Sequence, residues 1–135
     1  MLTTYAPADR SQAPRWMVVD DERPLLDLLG SLLKRIHGVQ VECFDSPLAA
    51  LAALAAAPET FELVITDFKM PEMDGAELCQ QIHALAPDLK VFLTTGTGLF
   101  DEASARRLGF GGLLTKPFAL EKLREVRPAG NLAHN

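Results

Sequence analysis

Five short apolar stretches, at residues 16–19, 39–44, 61–66, 90–94 and 113–114, alternate along the chain with segments whose apolar residues recur at helical spacing. Apolar runs of strand length bounded by turn residues read as buried strands. Regular strand–helix alternation then implies a parallel sheet with right-handed crossovers and helices on both faces. In such a sheet every strand ends along the same edge, which is where open α/β folds bind ligands. The residues that follow the strands are therefore the ones to inspect. They are Asp20 and Asp21 after the first, Asp67 after the third, Thr95 after the fourth and Lys116 after the fifth. One edge gathers three carboxylates, a hydroxyl and an ammonium.

The intervening helices carry their own signals. Pro24 suits a first helical turn, Leu25, Leu29, Leu32 and Ile36 form a face, and Lys34, Arg35 and His37 precede Gly38, so the first helix runs to about His37. Asp45-Ser46-Pro47 begins an alanine-rich helix bearing Leu48, Leu51 and Leu54, which Pro58 ends. Leu78, Cys79, Ile82 and Leu85 mark a third helix after Asp74-Gly75 and before Pro87. A weak fourth helix spans about 101–108, flanked by Phe100 and Phe110, and a short fifth carries Leu120 and Leu123 until Pro128 halts it by about Val126. The expected organisation is a flexible leader over 1–14, one folded domain over 15–126 and a frayed tail over 127–135.

Composition narrows the class. A chain of 135 residues with 48% hydrophobic and 23% charged residues has the make-up of one globular domain. A net charge of -5 works against a nucleic-acid surface, which needs clustered Lys and Arg. No apolar run is long enough to span a membrane and no secretory signal opens the chain, so a cytoplasmic protein is expected. Cys43 and Cys79 lie in apolar patterns without metal-ligand spacing, which favours reduced thiols. His37, His83 and His134, on a helix end, a helix and the tail, read as ordinary residues rather than phosphate donors.

Three carboxylates brought together repel one another unless a cation lies between them. An oxygen-only donor set suits magnesium, and no His or Cys group favours zinc. A carboxylate so screened can attack phosphorus and form an aspartyl phosphate, with Lys116 and Thr95 placed to hold phosphoryl oxygens. Asp67 is the candidate nucleophile. A turn or N-cap aspartate is the competing reading for that residue alone, as a solvated turn is for Asp20-Asp21 and surface charge for Lys116.

In their joint order, Asp20-Asp21, Asp67 with Pro71 and Asp74-Gly75, Thr95-Gly96, and Lys116-Pro117-Phe118 resemble the receiver domain of two-component response regulators, and a stand-alone receiver is expected. The resemblance implies a flavodoxin-like doubly wound sheet in the order 2-1-3-4-5, with five helices of which the last is short. It implies that Asp67 accepts a phosphoryl group from a histidine kinase or histidine phosphotransfer protein, and that a separate output protein reads the change. Asp21, Asp67 and the backbone carbonyl of Lys69 would bind Mg2+ directly, with Asp20 acting through water. Thr95 and Lys116 would move onto the phosphoryl oxygens, Thr95 being preferred to Thr94 because it directly precedes Gly96. The Lys116-Pro117 bond is often cis in such domains. The family is not enzymatic beyond its own Mg-dependent phosphorylation and dephosphorylation.

One departure concerns the switch. Three residues before the lysine, receivers usually place Tyr or Phe, and this chain has Leu113. Two rival classes are weighed against this reading. A haloacid-dehalogenase-type phosphatase needs its nucleophile on the first strand in a D-x-D pattern, whereas here the sequence reads Asp67-Phe68-Lys69. A phosphate-independent interaction module would keep the fold without the chemistry.

Overall fold

A computed structural model describes residues 14–96 and 98–128. The leader expected over 1–14, apart from Pro14, and the tail from 129 onward lie outside the described residues. Five strands, β1 (Arg15–Val19), β2 (Gln40–Phe44), β3 (Phe61–Asp67), β4 (Lys90–Thr95) and β5 (Gly112–Thr115), form one sheet in the order β2-β1-β3-β4-β5. Every neighbouring pair is parallel, with Val19 opposite both Phe44 and Thr66, Asp67 opposite Thr94, and Thr95 opposite Thr115. The helices between them are α1 (Arg23–His37), α2 (Pro47–Ala56), α3 (Gly75–Leu85), α4 (Glu102–Arg107) and α5 (Leu120–Glu125). This is the expected flavodoxin-like topology, including the short last helix.

Strand alternation divides the core in two. Trp16, Val18, Leu63, Ile65, Phe92 and Leu114 face α1 and α5, meeting Leu26, Leu29, Leu33 and Leu123. Met17, Val19, Val64, Val91 and Leu93 face the other way, onto Ala50, Leu54, Leu78, Cys79, Ile82 and Ala105. Each fully buried Val, Leu, Ile or Met among them contributes about 1.5–3 kcal/mol relative to leaving it exposed. Cys79 belongs to the second layer and Cys43 packs at the edge of the first, so the two free thiols lie on opposite faces of the sheet. That placement is incompatible with a disulfide between them.

Two helices present different faces from the ones read in the sequence. In α1 the buried stripe is Leu26, Leu29, Gly30 and Leu33, while Leu25, Leu32 and Ile36 sit half-buried at its flank. Gly30 explains the rotation: a Cβ there would lie 2.6 Å from Cys43 Sγ, so α1 approaches β2 through the one residue that has no side chain. In α2 the buried positions are Pro47, Ala50 and Leu54, and Leu48 is exposed. Alanines and leucines alternate too regularly in that helix for its pattern to mark a face.

Helix ends follow their sequence signals. Ser46 Oγ accepts the Ala49 N–H at 3.2 Å, and Gly38 takes φ 66 with its N–H on the Lys34 carbonyl. Asp74 and Glu77 make a reciprocal capping box on α3, and Asp101 and Ser104 do the same for α4. Phe110 is core and Phe100 is half-buried against the same layer. His37 Nε2 lies 2.8 Å from the Leu123 carbonyl and His83 Nε2 lies 2.9 Å from the Leu89 carbonyl, both structural ties between elements. No helix among the described residues is long and apolar enough to cross a membrane.

Candidate functional site

The carboxyl edge of the sheet collects the acidic residues because β1 and β3 are adjacent and end level with each other. Asp20 follows β1 and is buried; its N–H donates to the Phe44 carbonyl at 3.1 Å and its Oδ1 accepts the Glu22 N–H at 2.8 Å. Asp21 is exposed beside it. Asp67 is the last residue of β3, where the sequence placed it one step beyond, and only 9% of its surface is exposed. Its Oδ1 accepts the Phe68 N–H at 2.9 Å. One carboxylate oxygen from each of Asp20, Asp21 and Asp67 lies within 4.8 Å of the others.

Lys116 reaches this cluster from the end of β5. Its Nζ lies 3.3 Å from Asp67 Oδ1, 3.4 Å from Asp20 Oδ2 and 3.9 Å from Glu22 Oε1. The Lys116-Pro117 peptide is cis, and the Lys116 N–H donates to the Thr95 carbonyl at 2.9 Å, joining β5 to the end of β4. Burial disfavours the ammonium, yet the charges of Asp20 and Asp67 outweigh it and hold the Lys116 pKa above the ordinary lysine value. For Asp67 the balance runs the other way. Burial, reinforced by Asp20, raises its pKa above the ordinary aspartate value against the pull of Lys116 and the Phe68 N–H. One ammonium does not neutralise this site, and a further cation is favoured there.

The donor chemistry meets that demand. Carboxylate oxygens alone, partly open to water through Asp21, suit a hard cation that keeps some of its waters, as magnesium does. The cleft beside the cluster, about 500 Å³ and lined by Asp21, Phe68, Lys69, Met70, Pro71 and Asp74, gives access from solvent.

The two threonines at the end of β4 separate cleanly. Thr94 Oγ1 donates to the Thr66 carbonyl at 3.4 Å within the sheet. Thr95 Oγ1 is buried and finds no hydrogen-bond partner among the described residues. An unpaired buried hydroxyl is costly, so an acceptor brought to this edge would stabilise it. Leu113 lies in β5 opposite Leu93, half-buried against the same apolar layer as Phe68 and Phe100.

Sequence reasoning missed the part played by Gly75, which it took as a helix start. A Cβ on Gly75 would lie 2.5 Å from the Asp67 carbonyl oxygen, so α3 begins in direct contact with the backbone of the candidate nucleophile. The glycine after a helix-capping aspartate was the available signal. Glu22, close enough to Lys116 for an ion pair, was missed because nothing in its spacing distinguishes it from a first-turn surface acid.

Known proteins resemble this chain in sequence and in fold. The C4-dicarboxylate transport transcriptional regulatory protein DctD of Rhizobium meliloti is 39% identical over 114 residues, covering 84% of this chain and 24% of that protein. The chain thus spans about a quarter of the length of that relative. A response regulator receiver domain structure from Clostridium thermocellum aligns with a TM-score of 0.75 at 28% identity, covering 82% of this chain and 88% of that one. The beryllofluoride-activated NtrC4 receiver domain aligns with a TM-score of 0.72 at 28% identity, covering 81% and 88%. The response regulator receiver domain model matches residues 16–127, nearly all of the described fold, and this chain therefore belongs to that family.

Proposed function

We propose that this domain is the phosphoacceptor of a two-component phosphorelay, and that Asp67 is the residue phosphorylated. The observation that carries the reading is one ammonium shared by two buried carboxylates at 3.3 and 3.4 Å, at the sheet edge where a buried threonine hydroxyl finds no partner among the described residues. A carboxylate oxygen of Asp67 forms the bond to phosphorus, and the P–N bond to the imidazole of a phosphohistidine breaks with its electron pair returning to the ring nitrogen. Asp21, Asp67 and the Lys69 carbonyl would hold a magnesium ion directly in this reading, and Asp20 would act through water. When bound, the ion offsets the negative charge of the carboxylates and of the incoming phosphoryl oxygens.

Lys116 is already directed at Asp67 and needs little movement to pair with a phosphoryl oxygen. Thr95 gains from the phosphoryl group the acceptor its hydroxyl lacks. That differential contact favours a conformation in which Thr95 is drawn toward Asp67, a population shift that a partner can read. The donor is a histidine kinase or histidine phosphotransfer protein in the cytoplasm, and the reader is an output protein or module.

The reading is tested by titrating beryllofluoride, a phosphoryl mimic, into the protein with and without Mg2+ and following bound fluoride by 19F NMR. Saturable, magnesium-dependent binding that disappears in Asp67→Asn is the expected result. Absence of binding in the intact protein would shift the assignment to a phosphate-independent interaction module.

A further inference from the structure

Phe68 is held at three points. Its N–H donates to Asp67 Oδ1 at 2.9 Å, its carbonyl accepts the Gly75 N–H at 2.7 Å, and its ring lies 4.8 Å from that of Phe100 with the planes inclined by 60°. That separation and tilt fall within the attractive range for aromatic pairs, about 4.5–7 Å. Phe100 stands directly before Asp101, the residue that caps α4 by receiving the Ser104 N–H at 2.8 Å. A single ring contact therefore joins the backbone that holds the Asp67 carboxylate to the start of α4.

The connection from β4 to Phe100 carries two glycines. It contains Gly96, where a Cβ would meet nothing, and Gly98, whose φ of 86 lies in the left-handed region that glycine tolerates. Thr95, whose hydroxyl has no partner among the described residues, stands at one end of this segment and Phe100 at the other. Leu113 belongs to the same apolar layer as both rings, but its aliphatic side chain has no ring to turn in or out. The aromatic surface bridging the site and α4 is that of Phe68 and Phe100.

We propose that the Phe68–Phe100 contact is the link through which the state of Asp67 reaches α4, in place of an aromatic residue at position 113. This rests on the phosphoacceptor reading above. A phosphoryl group or its mimic on Asp67 redistributes charge over the oxygen that the Phe68 N–H now holds, and it draws Thr95 inward at the other end of the glycine segment. Both movements act on the Phe68–Phe100 ring pair, and the capped first turn of α4 follows Phe100. Phe100 is a positioning residue in this scheme and touches no phosphoryl oxygen.

The test is amide hydrogen exchange across residues 102–107, with and without beryllofluoride and Mg2+, in the intact protein, Phe100→Ala and Phe100→Tyr. In the intact protein the mimic is expected to change exchange in α4 by about fivefold or more, the lower end of ordinary coupling between sites. Phe100→Ala should bind the mimic within about threefold of the intact protein while its α4 response falls below about twofold, and Phe100→Tyr should restore the response. Phe100→Leu serves if the alanine variant does not fold, with the same loss expected. A full α4 response without the ring, or loss of mimic binding together with it, overturns the proposal. So does an intact protein that binds the mimic without any change in α4. An intact protein that fails to bind the mimic instead overturns the phosphoacceptor reading on which the proposal stands.

Discussion

Gly75→Ala is the substitution that most directly tests how α3 is seated against the site. Carbon–oxygen contacts of backbone type settle at about 3.3–3.6 Å. The added Cβ would stand 2.5 Å from the Asp67 carbonyl oxygen and 3.1 Å from Phe68 Cα, so the loop must retreat by about 0.8 Å. That retreat is resisted on three sides. The Gly75 N–H binds the Phe68 carbonyl at 2.7 Å, Thr66 Oγ1 donates to the Asp67 carbonyl at 2.9 Å, and Phe68 N–H holds the Asp67 side chain. Overpacking of this kind costs about 1–3 kcal/mol, and loss of the Gly75–Phe68 hydrogen bond adds about 1 kcal/mol. The better helix propensity of alanine returns up to about 1 kcal/mol. The net expectation is about 1–3 kcal/mol of destabilisation, which lowers the urea midpoint by roughly 1 M for a domain of this size. Because the displaced atoms belong to Asp67, magnesium affinity measured by calorimetry should fall as well. Gly96→Ala is the control: its Cβ would meet nothing, and stability should stay within about 0.5 kcal/mol. A Gly75→Ala variant with an unchanged urea midpoint would refute the close-approach argument.

Three further outcomes follow from the same geometry. Asp67→Asn should be more stable than the intact protein in EDTA at neutral pH. A raised native pKa means the folded state holds the proton more tightly, so stability falls as pH rises from the unfolded aspartate pKa through the native one. The gap should therefore close on acidification and on adding Mg2+ to the intact protein, as thermal melts over a pH series would show. Leu54→Ala should cost about 2–5 kcal/mol in urea unfolding, whereas Leu48→Ala on the same helix should change stability by less than about 0.5 kcal/mol. Burial pushes the Cys79 thiol up to about 11, so in a native alkylation time course at pH 8 followed by peptide mapping, Cys79 should react far more slowly than it does in urea.

The parts of this protein legible in its sequence are those fixed by local chemistry. Strand runs of Val, Ile and Leu, the Ser46, Asp74 and Asp101 caps, and the Gly38 stop all express preferences that act within a few residues, and each element stands within one or two residues of its expected bounds. The acidic edge was legible for a different reason. Parallel topology obliges every strand end to share one side, so order along the chain became proximity in space.

What stayed hidden depends on distances between elements. Nothing in the Leu25–Ile36 pattern says that Gly30 must face Cys43, and that contact turns α1 by about one residue. Regular alanine in α2 gave no asymmetry from which to read a face. The choice of Thr95 over Thr94 could be argued from the neighbouring Gly96, but the physical reason appears only when Thr94 is seen donating to Thr66 while Thr95 has no partner among the described residues. The Phe68–Phe100 contact joins two loops from different crossovers, and no spacing rule predicts it.

The central claim is that Asp67 accepts a phosphoryl group, and intact mass spectrometry tests it most directly. The protein and its Asp67→Asn variant are incubated with acetyl phosphate and Mg2+, quenched at intervals and weighed. The expected result is a hydroxylamine-labile gain of one phosphoryl group in the intact protein, absent in EDTA and absent in Asp67→Asn. An equal gain in Asp67→Asn, or none in the intact protein at any time point, would contradict it.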